Sequence, residues 1–206
     1  MRCMTESVGV LLLDGWRAIG GDDQEGAYDE ALRTVSARAD SAKGIDKSDI
    51  GALVLWKRIT AQAQWSRALM LTSDASVRAS TGAAYRLAND PSLSIPDAGQ
   101  AARDALRELP GMGGTAALAS AVLLALAPMR MAVWDRRVGV ALRSLSRYPE
   151  TRIGFYRRYL STTLELADAM KAASSNRRSF VPRDVDLALF YIAGDRAMLA
   201  AAETLH

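Results

Sequence analysis

Apolar residues recur along this chain at spacings of three and four rather than two, and the recurrence predicts helices nearly throughout. Helices are expected over 5–20 and 24–41, separated by Gly20-Gly21-Asp22-Asp23. Lys43-Gly44-Ile45-Asp46 breaks the pattern. Asp46 or Ser48 can cap a helix that runs through Ile50, Leu53 and Val54 to Trp56 or Ile59. Segments 61–71 and 74–88 continue the helical spacing until Asn89-Asp90-Pro91 stops it. Ser94-Ile95-Pro96-Asp97 opens another helix, with proline in the first turn, that ends at Leu109. Beyond Leu109-Pro110-Gly111-Met112-Gly113 come helices over 114–126, 135–145 and about 149–173, then a polar basic loop over 174–181 and a last helix from Pro182. Runs of β-branched residues are few and no strand has a strong candidate, so the expected class is all-α.

The length of 206 residues suits one large domain or two small lobes around a shared core. The expectation is a single helical domain over 1–206, with the helices of 5–41 as an extension or second lobe. The longest apolar run, Ala116–Met129, is interrupted by Ser120 and closed by Pro128. It is too short for a membrane span and reads as a core helix. Val8–Leu13 is apolar but sits between Glu6 and Asp14, which argues against a signal peptide. The single Cys3 rules out an internal disulfide and fits a reducing cytoplasm. The lone histidine, His206, is the last residue, so histidine acid–base chemistry and ordinary zinc sites are nearly excluded. No cofactor is expected.

Charge is unevenly placed. Residues 1–100 carry 11 basic and 13 acidic side chains, whereas residues 101–206 carry 15 and 10. The excess is almost all arginine, including Arg130, Arg136, Arg137, Arg143, Arg147, Arg152, Arg157, Arg158, Arg177, Arg178 and Arg183. Arginine forks match phosphate oxygens better than lysine point charges do. The excess follows a glycine hairpin, which points to nucleic acid rather than to a solvated face alone. A glycine hairpin lets backbone come close to a phosphate because no Cβ blocks the approach. A helix starting at Gly114 and Thr115 would aim its unpaired N–H groups at the same anion. Asp135 is then the acid within reach of the sugar attached to that phosphate.

Leu109-Pro110-Gly111-Met112-Gly113, the Ala-rich segment after it and Val133-Trp134-Asp135 at its distance resemble the helix–hairpin–helix signature of the base-excision DNA glycosylases. The closing segment Arg183-Asp184-Val185-Asp186-Leu187-Ala188-Leu189-Phe190-Tyr191 is similar to that of the bacterial 8-oxoguanine-glycosylase-like branch. The resemblance covers about 45–195 and implies a two-lobed helical fold with the motif over about 98–127. It implies that duplex DNA is the partner, that a modified or damaged base is flipped out for cleavage of its N-glycosidic bond, and that the protein is a cytoplasmic, nucleoid-associated monomer. Backbone at Leu109, Gly111, Gly113, Gly114 and Thr115 would hold the phosphate, supported by Arg136 and Arg137. A monovalent cation would sit at the carbonyls of Leu109 and Gly111. Asp135 would stabilise the positive charge that develops on the deoxyribose.

The chain departs from the family at one position of consequence. Strand-cleaving members carry a lysine just after the hairpin, where this chain has Gly114 and Thr115, and no lysine occurs between Lys57 and Lys171. Two routes follow: a monofunctional enzyme using water, or a nucleophilic lysine from elsewhere. Lys57 is the candidate for the second. Its neighbours Trp56 and Arg58 are the surroundings in which burial and like charge favour a neutral amine, although a solvated helix position is the more ordinary reading. Trp56 and Trp134 flank Lys57 and Asp135 and could sandwich a flipped base, but large aromatics at helical spacing more often belong to the core. Gln62 and Gln64 stand where the family wedges a polar side chain into the duplex. Trp16 and Trp65 read as packing, and Asp184 and Asp186 as caps or as partners of Arg177, Arg178 and Arg183. Two further readings stay open: a non-catalytic helix–hairpin–helix module that binds DNA, and a helical interaction domain in which the hairpin is only a turn.

Overall fold

The structure is a computed structural model that describes residues 2–21, 27–60, 64–113, 117–150, 153–175 and 178–205. Among the described residues there is no strand, so the all-α expectation holds. The helices are α1 (Arg2–Ala18), α2 (Glu30–Ala42), α3 (Lys47–Trp56), α4 (Gln64–Leu71), α5 (Asp74–Ala88) and α6 (Ile95–Leu106), followed by α7 (Ala117–Leu126), α8 (Arg136–Ser144), α9 (Phe155–Ala173), α10 (Pro182–Ile192) and α11 (Arg196–Glu203). A 3-10 turn, Ala27–Asp29, precedes α2. The chain divides into two compact units: an inserted unit, 25–133, and a terminal unit that combines 1–24 with 134–206. α1 and α2, grouped in sequence as one N-terminal piece, thus fall into different units.

The inserted unit is built around α7. Every residue from Leu118 to Leu126 is buried, and the helix packs against α2, α3, α5 and α6. An all-round apolar helix of this length belongs in a core. Its neighbours are fixed at their ends by side chains. Asp46 caps α3 by accepting from the Ser48 and Asp49 N–H groups, and the Asp49 carboxylate accepts from the Asp46 N–H in return. Arg38 of α2 donates to the buried Asp49 at 2.8 Å, tying α2 to α3. The Lys47 ammonium donates to the Met70 and Thr72 carbonyls, satisfying acceptors at the C-terminal end of α4.

In the terminal unit α1 lies against α9 and α10, while α8 and α11 complete the packing around α10. Glycines set the close approach. A methyl built on Gly9 would meet the Ala169 carbonyl oxygen at 2.2 Å, and one on Gly15 would meet the Ala188 oxygen at 3.2 Å. Trp16 is buried, donates from Nε1 to Asp184 at 3.0 Å and meets the Phe180 ring edge-on at 5.2 Å, the packing role expected of it. Asp184 also accepts from the Val181 N–H at the start of α10, and Asp186 pairs with Arg183 at 2.5 Å. Both acids therefore have the structural tasks expected of them, one as cap and the other as ion-pair partner.

Two boundaries and one whole element differ most from the pattern-based expectation. α6 stops at Leu106 because the chain is already turning into the hairpin. α9 begins at Phe155 rather than near 149, since Pro149 lacks a donor and Gly154 enters the helix from a left-handed conformation (φ +62°). α11 has no counterpart in the expected elements. Its start is marked by Gly194 and by Asp195, whose carboxylate accepts from the Ala197 and Met198 N–H groups.

Candidate functional site

The hairpin is a tight turn built by residue type. The Met112 N–H donates to the Leu109 carbonyl at 3.1 Å, Pro110 takes the second position, and Gly111 takes the third with φ +85°. This is a type II turn, which requires a residue able to adopt positive φ at its third position. Leu109 and Met112 are buried beneath it. Trp65 of α4 covers Gly111, so that a methyl there would lie 2.6 Å from the indole Cε3. Gly111 is thus required by both backbone geometry and the indole face. Gly113 differs: it is exposed, and no described atom lies within 4 Å of a methyl built on it. Gly111→Ala is expected to cost about 1–3 kcal/mol in chemical denaturation. Gly113→Ala should stay within about 0.5 kcal/mol of wild type in the same measurement.

Asp135 belongs to the terminal unit and stands at the N-cap of α8. Its Oδ1 accepts from the Val138 N–H at 3.0 Å, and the residue is half-buried. The preceding Trp134 is 8% exposed and packs edge-on against Phe155 at 4.6 Å, Tyr159 at 5.1 Å and Tyr148 at 5.9 Å. That packing places Trp134 in the core of the terminal unit, immediately before Asp135 in the chain. Tyr159 is fully buried. Burial foremost, then the charge of Asp186, the Tyr156 hydroxyl and the charge of Asp135, hold its phenol well above the ordinary value near 10.0. The phenol is neutral at neutral pH, as an ordinary tyrosine is, and its burial extends the neutral range upward. A raised folded-state pKa contributes stability that is complete below the unfolded value and fades as pH rises past it. Wild-type stability should thus fall with a slope above about pH 10, and Tyr159→Phe should flatten that slope in denaturant midpoints measured across the range.

Lys57 and Trp56 lie in the inserted unit. Trp56 is 6% exposed, donates from Nε1 to Asp29 at 2.8 Å and is tilted against Tyr28 at 6.4 Å, while Tyr28 donates to the Trp56 carbonyl at 2.8 Å. It is a framework residue. Lys57 is the half-buried C-cap of α3, and Arg58 follows it with φ +55°. The Arg58 and Ile59 N–H groups return to the Leu55 and Val54 carbonyls, closing the helix in a Schellman pattern with arginine where glycine is usual. Gln64 is exposed at the start of α4. Gln62, Gly114, Thr115, Arg152 and Arg177 lie outside the described residues.

The arginine excess separates into structural and surface groups. Arg130 spans the Asp90 and Leu93 carbonyls at 2.8 Å each, and Arg183 is taken up by Asp186. Arg178 lies over the Trp16 ring at 4.7 Å, and Arg137 over Phe190 at 4.9 Å. Arg136 and Arg137 are both exposed at the first turn of α8. Sequence reasoning missed the Tyr159 hydroxyl beside acidic side chains and the cover of Gly111 by Trp65, neither of which leaves a signal in local spacing. Among the described residues no cluster of His, Cys, Asp or Glu could hold a metal ion, and no helix is long and apolar enough to cross a membrane. Fold and site thus define an all-α protein of two units with a type II glycine hairpin in one and a helix-capping acid in the other. No protein-family model, curated protein or solved structure matches the chain.

Proposed function

We propose that this protein is a DNA glycosylase-like enzyme of the helix–hairpin–helix kind, acting on a modified or damaged base flipped from duplex DNA. The observation that carries the reading is Asp135: at the motif's distance in sequence from the hairpin, its carboxylate accepts from the Val138 N–H at 3.0 Å, which holds it at the start of α8. A fixed, half-buried acid is what an oxocarbenium-like sugar needs as the C1′–N bond breaks. Water then adds to C1′ and supplies the proton that leaves with the base. The hairpin supports the reading through the open approach to Gly113, and Arg136 and Arg137 add charge for phosphate. Water is the assigned nucleophile, because Gly114 and Thr115 replace the family's lysine.

The test is release of free base from duplexes carrying a broad panel of modified bases. Release from at least one substrate is expected, without strand cleavage. A covalent adduct on borohydride reduction that disappears in Lys57→Ala would instead assign the nucleophile to Lys57. The second reading, a binding module without catalysis, draws on the same N-cap bond, which gives Asp135 a structural task of its own. DNA binding with no base released from any substrate would establish it.

A further inference from the structure

The stretch from Arg136 to Arg158 carries seven arginines, no lysine and one acid, Glu150. Six of these arginines are described, and all six are exposed. α8 buries Val138, Gly139, Ala141 and Leu142 and turns Arg136, Val140 and Arg143 outward at helical spacing, with Arg147 continuing the row just past its end. Aromatic packing joins the end of α8 to the start of α9. Tyr148 stands 5.9 Å from Trp134 and 6.3 Å from Phe155, and Trp134 meets Phe155 at 4.6 Å. On the outside of this cluster the Arg143 guanidinium lies 4.0 Å over the Tyr148 ring. Arg147 reaches Glu165 of α9 at 3.5 Å, a pair with both members exposed, where solvent screening leaves little net energy. Arg157 and Arg158 follow Phe155 in the first turn of α9, and Arg158 donates to the Ile153 carbonyl.

We infer that this arginine face of the terminal unit tracks the phosphate backbone of duplex DNA, with Arg143, Arg147, Arg157 and Arg158 as contacts additional to the hairpin and the first turn of α8. Charge complementarity selects the occupant. A run this rich in one sign, with arginine as its sole cation, matches a regular row of phosphates, each able to take a guanidinium fork. A protein partner would call for an apolar centre depleted in charge, and here only Val140 and Ile153 are exposed large apolar residues among the described part of the stretch. Stacking on Tyr148 holds Arg143 in place before it meets a phosphate, which lowers the ordering cost of the contact. The identity of the partner rests on the glycosylase-like reading, but none of these four residues takes part in the chemistry assigned to Asp135.

The full-length chain should be titrated against a fluorescein-labelled, unmodified duplex across a salt series. The variants are Arg143→Glu with Arg147→Glu and, separately, Arg157→Glu with Arg158→Glu, with folding checked by circular dichroism and thermal melting. Each pair is expected to weaken binding roughly tenfold or more at fixed salt and to make the slope of log affinity against log salt shallower by about two, near 0.9 for each phosphate no longer neutralised. Arg143→Lys with Arg147→Lys should keep most of the slope, because charge is retained. Wild-type binding with folded reversal variants that match it in affinity and slope would overturn the inference and leave the glycosylase-like reading standing. DNA binding through this face with no base released would do the reverse, and absence of duplex binding by wild type would end both. Anionic phosphatidylserine vesicles that bind wild type but not the reversal variants, while duplex binding is unchanged, would reassign the face to a lipid surface.

Discussion

Asp135→Asn is expected to leave the protein folded and to slow base release by orders of magnitude. The two consequences separate because the cap and the proposed catalytic role respond to different properties of the side chain. As N-cap it needs an oxygen for the Val138 N–H, 3.0 Å away. Asparagine supplies that oxygen and caps about as well as aspartate, so stability should fall only by the loss of a negative charge at a helix N-terminus, about 0.3–1 kcal/mol. As a catalytic group it needs the charge itself, which asparagine lacks. Removing a carboxylate that stabilises a developing cation should lower the rate by roughly 10²–10³-fold. Asp135→Ala should match that fall in rate and in addition lose the cap, about 1 kcal/mol. Thermal melts and single-turnover base release on the three proteins decide the matter. A wild-type rate in Asp135→Asn, with lowered stability in Asp135→Ala, would make the residue a cap and nothing more and would move the catalytic role to another group; DNA binding with no base released by any of the three proteins would leave the binding-module reading in place of the enzyme.

The helices were legible because their caps and apolar faces are local. Asp46, Ser94 and Asp135 each accept an N–H from the first turn of the helix they precede. The burial of α7 followed from its composition alone. Partners were not legible, because periodicity tells which face of a helix is buried and not what buries it. Trp65 reads as packing from its type and spacing, but nothing in the sequence says that it packs on Gly111, and so two glycines of one motif, alike in sequence, prove unlike in structure. Nothing local separates Arg130, consumed by two carbonyls of a turn, from the exposed Arg143 and Arg147. Similarly, α1 and α2 are neighbours in sequence, and only long-range packing assigns α1 to α9 and α10. Asp135 stood out because its signal is a spacing from a hairpin. Tyr159 did not, because its relation to Asp135 and Asp186 passes through three separate segments.

Two identical substitutions should move stability in opposite directions, and their contrast probes the packing that supports Asp135. Gly9→Ala puts a methyl 2.2 Å from the Ala169 carbonyl oxygen and 2.7 Å from its carbon. Both are helix backbone in α9, which cannot swing aside as a side chain can. α1 must therefore lift from α9, at an expected cost of roughly 3 kcal/mol or more. The damage spreads along α1, since Leu12, Leu13 and Trp16 are buried on the same helix and Trp16 holds Asp184. Gly51→Ala meets open space in the exposed middle of α3. There alanine should stabilise by about 0.5–1 kcal/mol, because glycine loses more backbone entropy on folding and has the poorer helix propensity. Denaturant midpoints for both variants, measured beside wild type, give the comparison. A neutral Gly9→Ala would mean that α1 and α9 do not approach so closely. A severe destabilisation confined to Gly9→Ala, with Gly51→Ala more stable than wild type, would show that glycine at position 9 is there for close approach rather than for flexibility. The terminal unit that carries Asp135 then depends on an α1–α9 interface that leaves no room for a Cβ.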